Sequence, residues 1–153
     1  MKTKSTPDPG NLRERALRLL ARREHSRGEL ARKLGQTGFE HQDITHLLDE
    51  FEAKNWLSDR RFAESWVADH RSKAGSVKLA YDLRQRGVSD KLIESVLGEQ
   101  RDSELERARE VWRKKFGSAP ADAAEKTRQM RFLQSRGFPL DIVRKTLACP
   151  EQL

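Results

Sequence analysis
The stretch Leu83-Arg84-Gln85-Arg86-Gly87-Val88-Ser89-Asp90-Lys91-Leu92-Ile93-Glu94-Ser95-Val96-Leu97 decides the fold, because its pattern occurs three times in the chain. Leu83, Gly87, Val88, Ile93, Val96 and Leu97 keep the offsets of Leu34, Gly38, Phe39, Ile44, Leu47 and Leu48 upstream. Leu133, Gly137, Phe138, Val143, Thr146 and Leu147 repeat them downstream. The three leading leucines lie 49 and then 50 residues apart. Self-similarity at such a period predicts an array of like units, each too small to bury its apolar face alone.

The signature has a physical meaning at a helix end. Each glycine reads as the left-handed residue just past the helix, with the leucine four before it in the last turn. The apolar residue after the glycine folds back on that leucine, so orphan carbonyls are satisfied while an apolar pair is buried. A side chain in the left-handed region costs roughly 1–2 kcal/mol, which favours glycine there. The pairs are Leu34 with Phe39, Leu83 with Val88, and Leu133 with Phe138.

Working outward, the composition suits small helical units with much surface. Of the 153 residues, 35% are apolar and 36% charged, the reverse of the usual excess of apolar residues. Short aliphatic runs and few β-branched residues leave little material for strands. The expected class is all-α: an elongated array of three tandem three-helix repeats, about nine helices in all. The expected divisions are a disordered tail over 1–10 and repeats over 11–57, 58–100 and 101–153.

Within the first repeat, Asn11 with Glu14 predicts a helix start, Ser26 with Glu29 a second, and 42–54 a third helix. In the second, Ser58 or Asp59 caps the first helix, Ser76 can cap the next and Ser89 the last. In the third, Ser103 with Glu106 and Asp122 with Glu125 open helices, and Pro139 suits a first helical position. The segment 98–103 is the expected joint. Trp56, Trp66 and Trp112, at helical spacing from other apolar residues, are expected in the core rather than stacked on bases.

Catalysis lacks a constellation. His25, His41, His46 and His70 have no zinc spacing, the single Cys149 excludes an internal disulfide, and no Gly-rich phosphate loop is present. No catalytic, cofactor-binding or metal site is therefore expected, and no enzyme. Met1 to Gly10 is polar, so neither a signal peptide nor a membrane span is expected, and the location reads as cytoplasmic.

Charge points to a partner. Lys and Arg number 31 against 24 Asp and Glu, a net charge of +7 with pI near 9.9, which suits nucleic acid or an acidic protein surface. The first helices of the repeats carry +3, +1 and +2, the second helices +2 each, and the third helices −3, −1 and +1. A module that put its third helix into a DNA groove would meet phosphate repulsion, so base readout by that helix is disfavoured. A basic ridge along the first and second helices is expected instead. The candidate contacts are Arg15, Arg18, Arg22, Arg71, Lys73, Lys78, Arg84, Arg86, Arg113, Lys114, Arg131 and Arg136.

Several ordered segments resemble the RecX family, bacterial modulators of the RecA recombinase. They are Arg23-Glu24-His25-Ser26 with Glu29-Leu30 and Lys33-Leu34; Asp59 with Arg61-Phe62-Ala63; and Arg71 with Gly75, Lys78-Leu79, Leu83 and Gly87-Val88. Lys115-Phe116-Gly117, Arg131-Phe132-Leu133 and Arg136-Gly137-Phe138 continue the match, which covers 11–147. Ser76 departs from it, since many relatives have proline after the glycine. The resemblance implies a three-repeat helical protein that binds the groove of the RecA filament on single-stranded DNA. It implies inhibition of RecA ATP hydrolysis, strand exchange and co-protease activity, and hence an effect on homologous recombination, DNA repair and the SOS response. A monomer is expected, with weak direct DNA binding as the alternative activity.

Overall fold
The computed structural model describes residues 9–148; residues 1–8 of the expected tail over 1–10, and Cys149, lie outside the described residues. Within them the chain forms nine helices and no strand. They are α1 (Pro9–Arg22), α2 (Arg27–Gly35), α3 (His41–Ala53), α4 (Asp59–His70), α5 (Ser76–Gln85), α6 (Asp90–Gly98), α7 (Arg101–Lys115), α8 (Ala123–Ser135) and α9 (Leu140–Ala148). Each consecutive trio encloses its own core. Leu30, Leu34, Leu48 and Phe51 centre the first, Leu79, Leu83, Val88 and Ile93 the second, and Trp112, Leu133, Phe138 and Val143 the third.

The repeated signature forms the same turn each time. Gly38, Gly87 and Gly137 have φ of 89°, 85° and 90°. The Val88 N–H donates to the Leu83 carbonyl and the Gly87 N–H to that of Arg84, the paired bonds of a glycine-closed helix end; Phe138 and Gly137 repeat them onto Leu133 and Gln134. At α2 the Gly38 bond to Gly35 is kept, and Phe39 packs half-buried against the first core.

These turns also join the repeats. The turn after α5 lies against the N-terminus of α2, where the Ser26 hydroxyl donates to the Arg86 carbonyl. The turn after α8 lies against the N-terminus of α5: the Gly75 N–H donates to the Arg136 carbonyl at 2.8 Å and the Val77 N–H to that of Gly137 at 2.9 Å. The first helix of the following repeat completes each joint with a carboxylate. Asp59 Oδ1 accepts the Arg27 N–H, and Glu104 Oε1 accepts the Ser76 N–H, both at 2.7 Å. The middle helices α2, α5 and α8 are thereby strung end to end: the start of α5 donates N–H groups to carbonyls at the end of α8, and the start of α2 meets the end of α5 through the Ser26 hydroxyl.

Several local expectations need correction. The first helix starts at Pro9 rather than Asn11, because proline suits a first helical position, so residues 9 and 10 belong to α1 and not to a tail. Ser76 does not cap α5; Gly75 is the cap residue, and Ser76 spends its N–H on Glu104. Ser103 does not open α7, which starts at Arg101 after only Glu99 and Gln100. Both of those keep right-handed helical angles, so the helix restarts without a side-chain cap, and the Ser103 hydroxyl donates to the Gln100 carbonyl. Pro139 precedes α9 by one residue. Trp56 is 45% exposed beside Phe51, whereas Trp112 is buried with its indole N–H on Gln129 Oε1. Ser26, Ser58, Ser89 and Asp122 cap as expected.

Near the first joint His25 is buried and held neutral. Its Nδ1 donates to the Arg23 carbonyl, leaving Nε2 to accept from Lys33 Nζ at 2.9 Å. Burial lowers its pKa below the ordinary 6.5, with the charges of Arg23 and Lys33 acting the same way. Burial would raise the Glu29 carboxyl, but two hydrogen bonds and the charge of Arg23 outweigh it and leave the group below its ordinary value. Both depressed groups bind protons more readily in the unfolded chain, so stability falls as pH falls. Urea midpoints should decline from pH 7 towards pH 5, and His25→Asn should flatten that part of the decline; an equal slope in the variant would contradict the assignment.

Gly137 is the least replaceable turn residue. A Cβ there would lie 2.5 Å from the Lys78 backbone nitrogen, whereas at Gly87 the nearest atom would be the Gly28 Cα at 3.4 Å. Gly87→Val should cost about 1–2 kcal/mol from left-handed strain. Gly137→Val should cost more, because it also pries α8 from α5, and urea unfolding followed by circular dichroism should show that order.

Candidate binding surface
The twelve candidate cations lie on α1, α5, α7 and α8 and in the segments that follow α4, α5 and α8. Arg15, Arg18 and Arg22 are exposed on α1, with Arg15 and Arg18 bordering a hollow of about 240 Å³ that also includes Glu14 and Phe39. Lys78 and Arg131 are exposed on α5 and α8. No ion pair among the described residues includes any of these five, nor Arg71, Lys73 or Arg136.

The central cations are partly engaged within the chain. Arg84 pairs with Asp90 at 2.9 Å. The Arg86 guanidinium lies 3.8 Å from the centre of the Trp66 ring, itself stacked with His70, and donates to the Asp82 carbonyl. Arg71 is exposed, but its carbonyl, with that of Ala74, accepts from the buried guanidinium of Arg107 on α7. Burial pulls the Arg107 pKa down, with Glu104 opposing and Arg71 reinforcing. Arg107 and Glu104 thus hold segment 71–76 from two sides, a structural role absent from the sequence reading because neither residue belongs to the repeated signature.

One concentration of charge is assembled by the fold. Lys73 lies just beyond α4, Lys114 and Lys115 end α7, and Arg136 caps α8; together with Val111 and Phe132 they line a hollow of about 400 Å³ that has no carboxylate in its wall. Lys115 Nζ and the Arg136 guanidinium lie 5.5 Å and 5.2 Å from the Phe132 ring centre, and Phe116 meets that ring edge-on. Arg113 points its charge at Glu110 instead, and Lys114 reaches the same carboxylate at 3.8 Å. Lys73, Lys114, Phe132 and Arg136 are distant in sequence, and the convergence of three helix ends brings them together.

Other features set limits on the chemistry. Among the described residues no group of three His, Cys, Asp or Glu is placed to hold a metal ion, and no helix is long and apolar enough to cross a membrane.

Comparison with known proteins gives this surface its context. Family models for the first, second and third three-helix domains of RecX match residues 13–51, 58–97 and 102–147. A protein named Regulatory protein RecX from Chromobacterium violaceum is 49% identical over 138 residues, covering 90% of both chains. The chain belongs to the RecX family. A second Regulatory protein RecX, from Leptothrix cholodnii, is 44% identical and covers 90% of this chain and 87% of its own. The crystal structure of RecX from Lactobacillus salivarius superposes with a TM-score of 0.84 over 95% of this chain and 97% of that one. At 19% identity that likeness speaks for the fold alone. RecX membership thus agrees with the three-unit all-α array.

Arg86 and Arg84 should separate on substitution. Arg86→Ala removes a half-buried cation from the Trp66 face and should cost about 1 kcal/mol, with a changed tryptophan emission. Arg84→Ala, on an exposed pair, should leave the urea midpoint nearly unchanged.

Proposed function
We propose that the chain binds the RecA recombinase filament on single-stranded DNA and inhibits its ATPase, strand-exchange and co-protease activities. It thereby tempers homologous recombination, DNA repair and the SOS response. The observation that carries the reading is the family match through all three units, to proteins named as regulators. The net charge of +7 supports it, since an acidic filament groove rewards cations set along several units. The chain acts by occupancy, without catalysis, as a cytoplasmic monomer. Arg15, Arg18, Arg22, Lys78 and Arg131, exposed and outside internal ion pairs, are the contacts this reading favours over Arg84 and Arg86.

The decisive measurement is RecA ATP hydrolysis on single-stranded DNA as the purified chain is added. Hydrolysis should fall to a plateau, and an unchanged rate at excess chain would overturn the proposal. Lys78→Glu with Arg131→Glu should shift the inhibition curve to higher concentration while the melting curve stays in place; an unshifted curve would remove those two contacts.

A further inference from the structure
We infer that the cationic hollow between the second and third repeats binds the phosphodiester backbone of single-stranded nucleic acid. Lys73, Lys114, Lys115 and Arg136 surround it, over a floor made by Val111 and Phe132. Lys73, Lys115 and Arg136 have no carboxylate partner among the described residues and Lys114 has only Glu110 at 3.8 Å, outside the lining, so the gathered cations repel one another in the free chain and an anion relieves that repulsion. Three helices end beside the hollow, and their dipoles supply roughly half a negative charge each, too little to balance four cations. The other described hollows differ in this respect. The cleft lined by Ser76, Arg84 and Arg101 carries the carboxylates of Asp90, Glu94, Glu104 and Asp141, and the remaining three include Glu29, Asp43 with Glu50, or Glu14.

The hollow is also prepared in advance. Phe132 steadies Lys115 and Arg136 through its ring face, so two of the four cations are positioned before any ligand arrives. The Gly75 N–H on the Arg136 carbonyl and the Arg107 clasp on segment 71–74 fix the backbone that carries Lys73 relative to α8. Lysine ammonium groups rotate freely enough to follow phosphate oxygens, and a half-buried apolar floor suits a sugar or base edge better than a row of carboxylates. A volume of about 400 Å³ admits a nucleotide or so of a strand that can bend inward, which a stiff duplex does not do.

The inference concerns free nucleic acid, independently of the RecA reading, and its test contains no RecA. Fluorescein-labelled oligo(dT) is titrated with the full chain, followed by anisotropy, at several salt concentrations. Lys73→Glu with Lys115→Glu is compared with Arg15→Glu with Arg18→Glu on α1; each pair lowers the net charge of +7 by four. The hollow pair should lose about tenfold or more in affinity near 0.1 M salt, and its log–log salt slope should shrink by about 1.4, at some 0.7 per lost phosphate contact. The α1 pair should lose distinctly less. Melting curves check that both variants fold, and Lys73→Glu alone, on an exposed segment beyond α4, serves if the double variant does not. Equal losses in the two pairs would overturn the inference in favour of diffuse charge. No loss in either, or equal competition by poly-glutamate of the same charge, would overturn it too, the latter pointing to an acidic polypeptide as the occupant.

Discussion
The rest of the structure depends on how the N-terminus of each middle helix is satisfied. A helix start exposes N–H groups that must find acceptors; the following repeat supplies one of them at α2 and most of them at α5. At α2 the side chain of Ser26 caps internally through the Glu29 N–H and donates onward to the Arg86 carbonyl, while Asp59 takes the Arg27 N–H. At α5, where glycine supplies no side chain, the neighbours provide more: Arg136, Gly137 and Glu104 accept the N–H groups of Gly75, Val77 and Ser76. The glycine turn therefore serves twice, closing its own helix and presenting carbonyls to the helix before it. This double duty explains why a Cβ at Gly75, whose φ of −83° any residue can adopt, would still collide with the Gly137 backbone at about 2.5 Å.

Much of the fold was legible because it is periodic. The leucine, glycine and apolar residue recur at fixed offsets, and the helix-start serines act within three residues of their partners, so a reader of the chain meets both halves of each interaction together. The joints were illegible for the converse reason. Arg27 with Asp59 and Ser76 with Glu104 are separated by 32 and 28 residues, and a backbone N–H leaves no mark in a sequence. The errors follow the same division. Ser103 looked like a cap by local pattern, yet Glu99 and Gln100 barely leave helical geometry, so the helix needs no cap. Trp56 looked like core by spacing, yet it follows the left-handed Asn55, with φ 60°, and the chain turns there and leaves the ring at the surface.

The binding surface was legible only as a sum. Counting charge by helix separates the acidic third helices from the basic first and second ones, but it is blind to which cations already have partners. Arg86 reads as an exposed cation and is a lid on Trp66; Arg107 reads as one more surface charge and is a buried clasp. Phe132 carries no signal of its own, being one aromatic among helical apolar positions. What the structure adds is an account of which charges remain available after the fold has used the others.

That account ties the cationic hollow to the same joint that orders the repeats. Lys73 and Arg136 sit on opposite sides of the contact between Gly75 and the α8 turn, and Lys114 and Lys115 stand on the helix whose Glu104 and Arg107 hold the 71–76 segment. Separating the second and third repeats would take Lys73 away from the other three charges, which all belong to the third repeat, and lose five inter-repeat hydrogen bonds that satisfy backbone groups. An anion that bridges Lys73 and the third-repeat cations binds the joined state more tightly than the separated one, and by linkage it stabilises the joint by that difference. Stiffness between the last two units and affinity for a polyanion are then one property seen from two sides, so a strand threaded through the hollow holds the array in the shape that presents its remaining cations in fixed register.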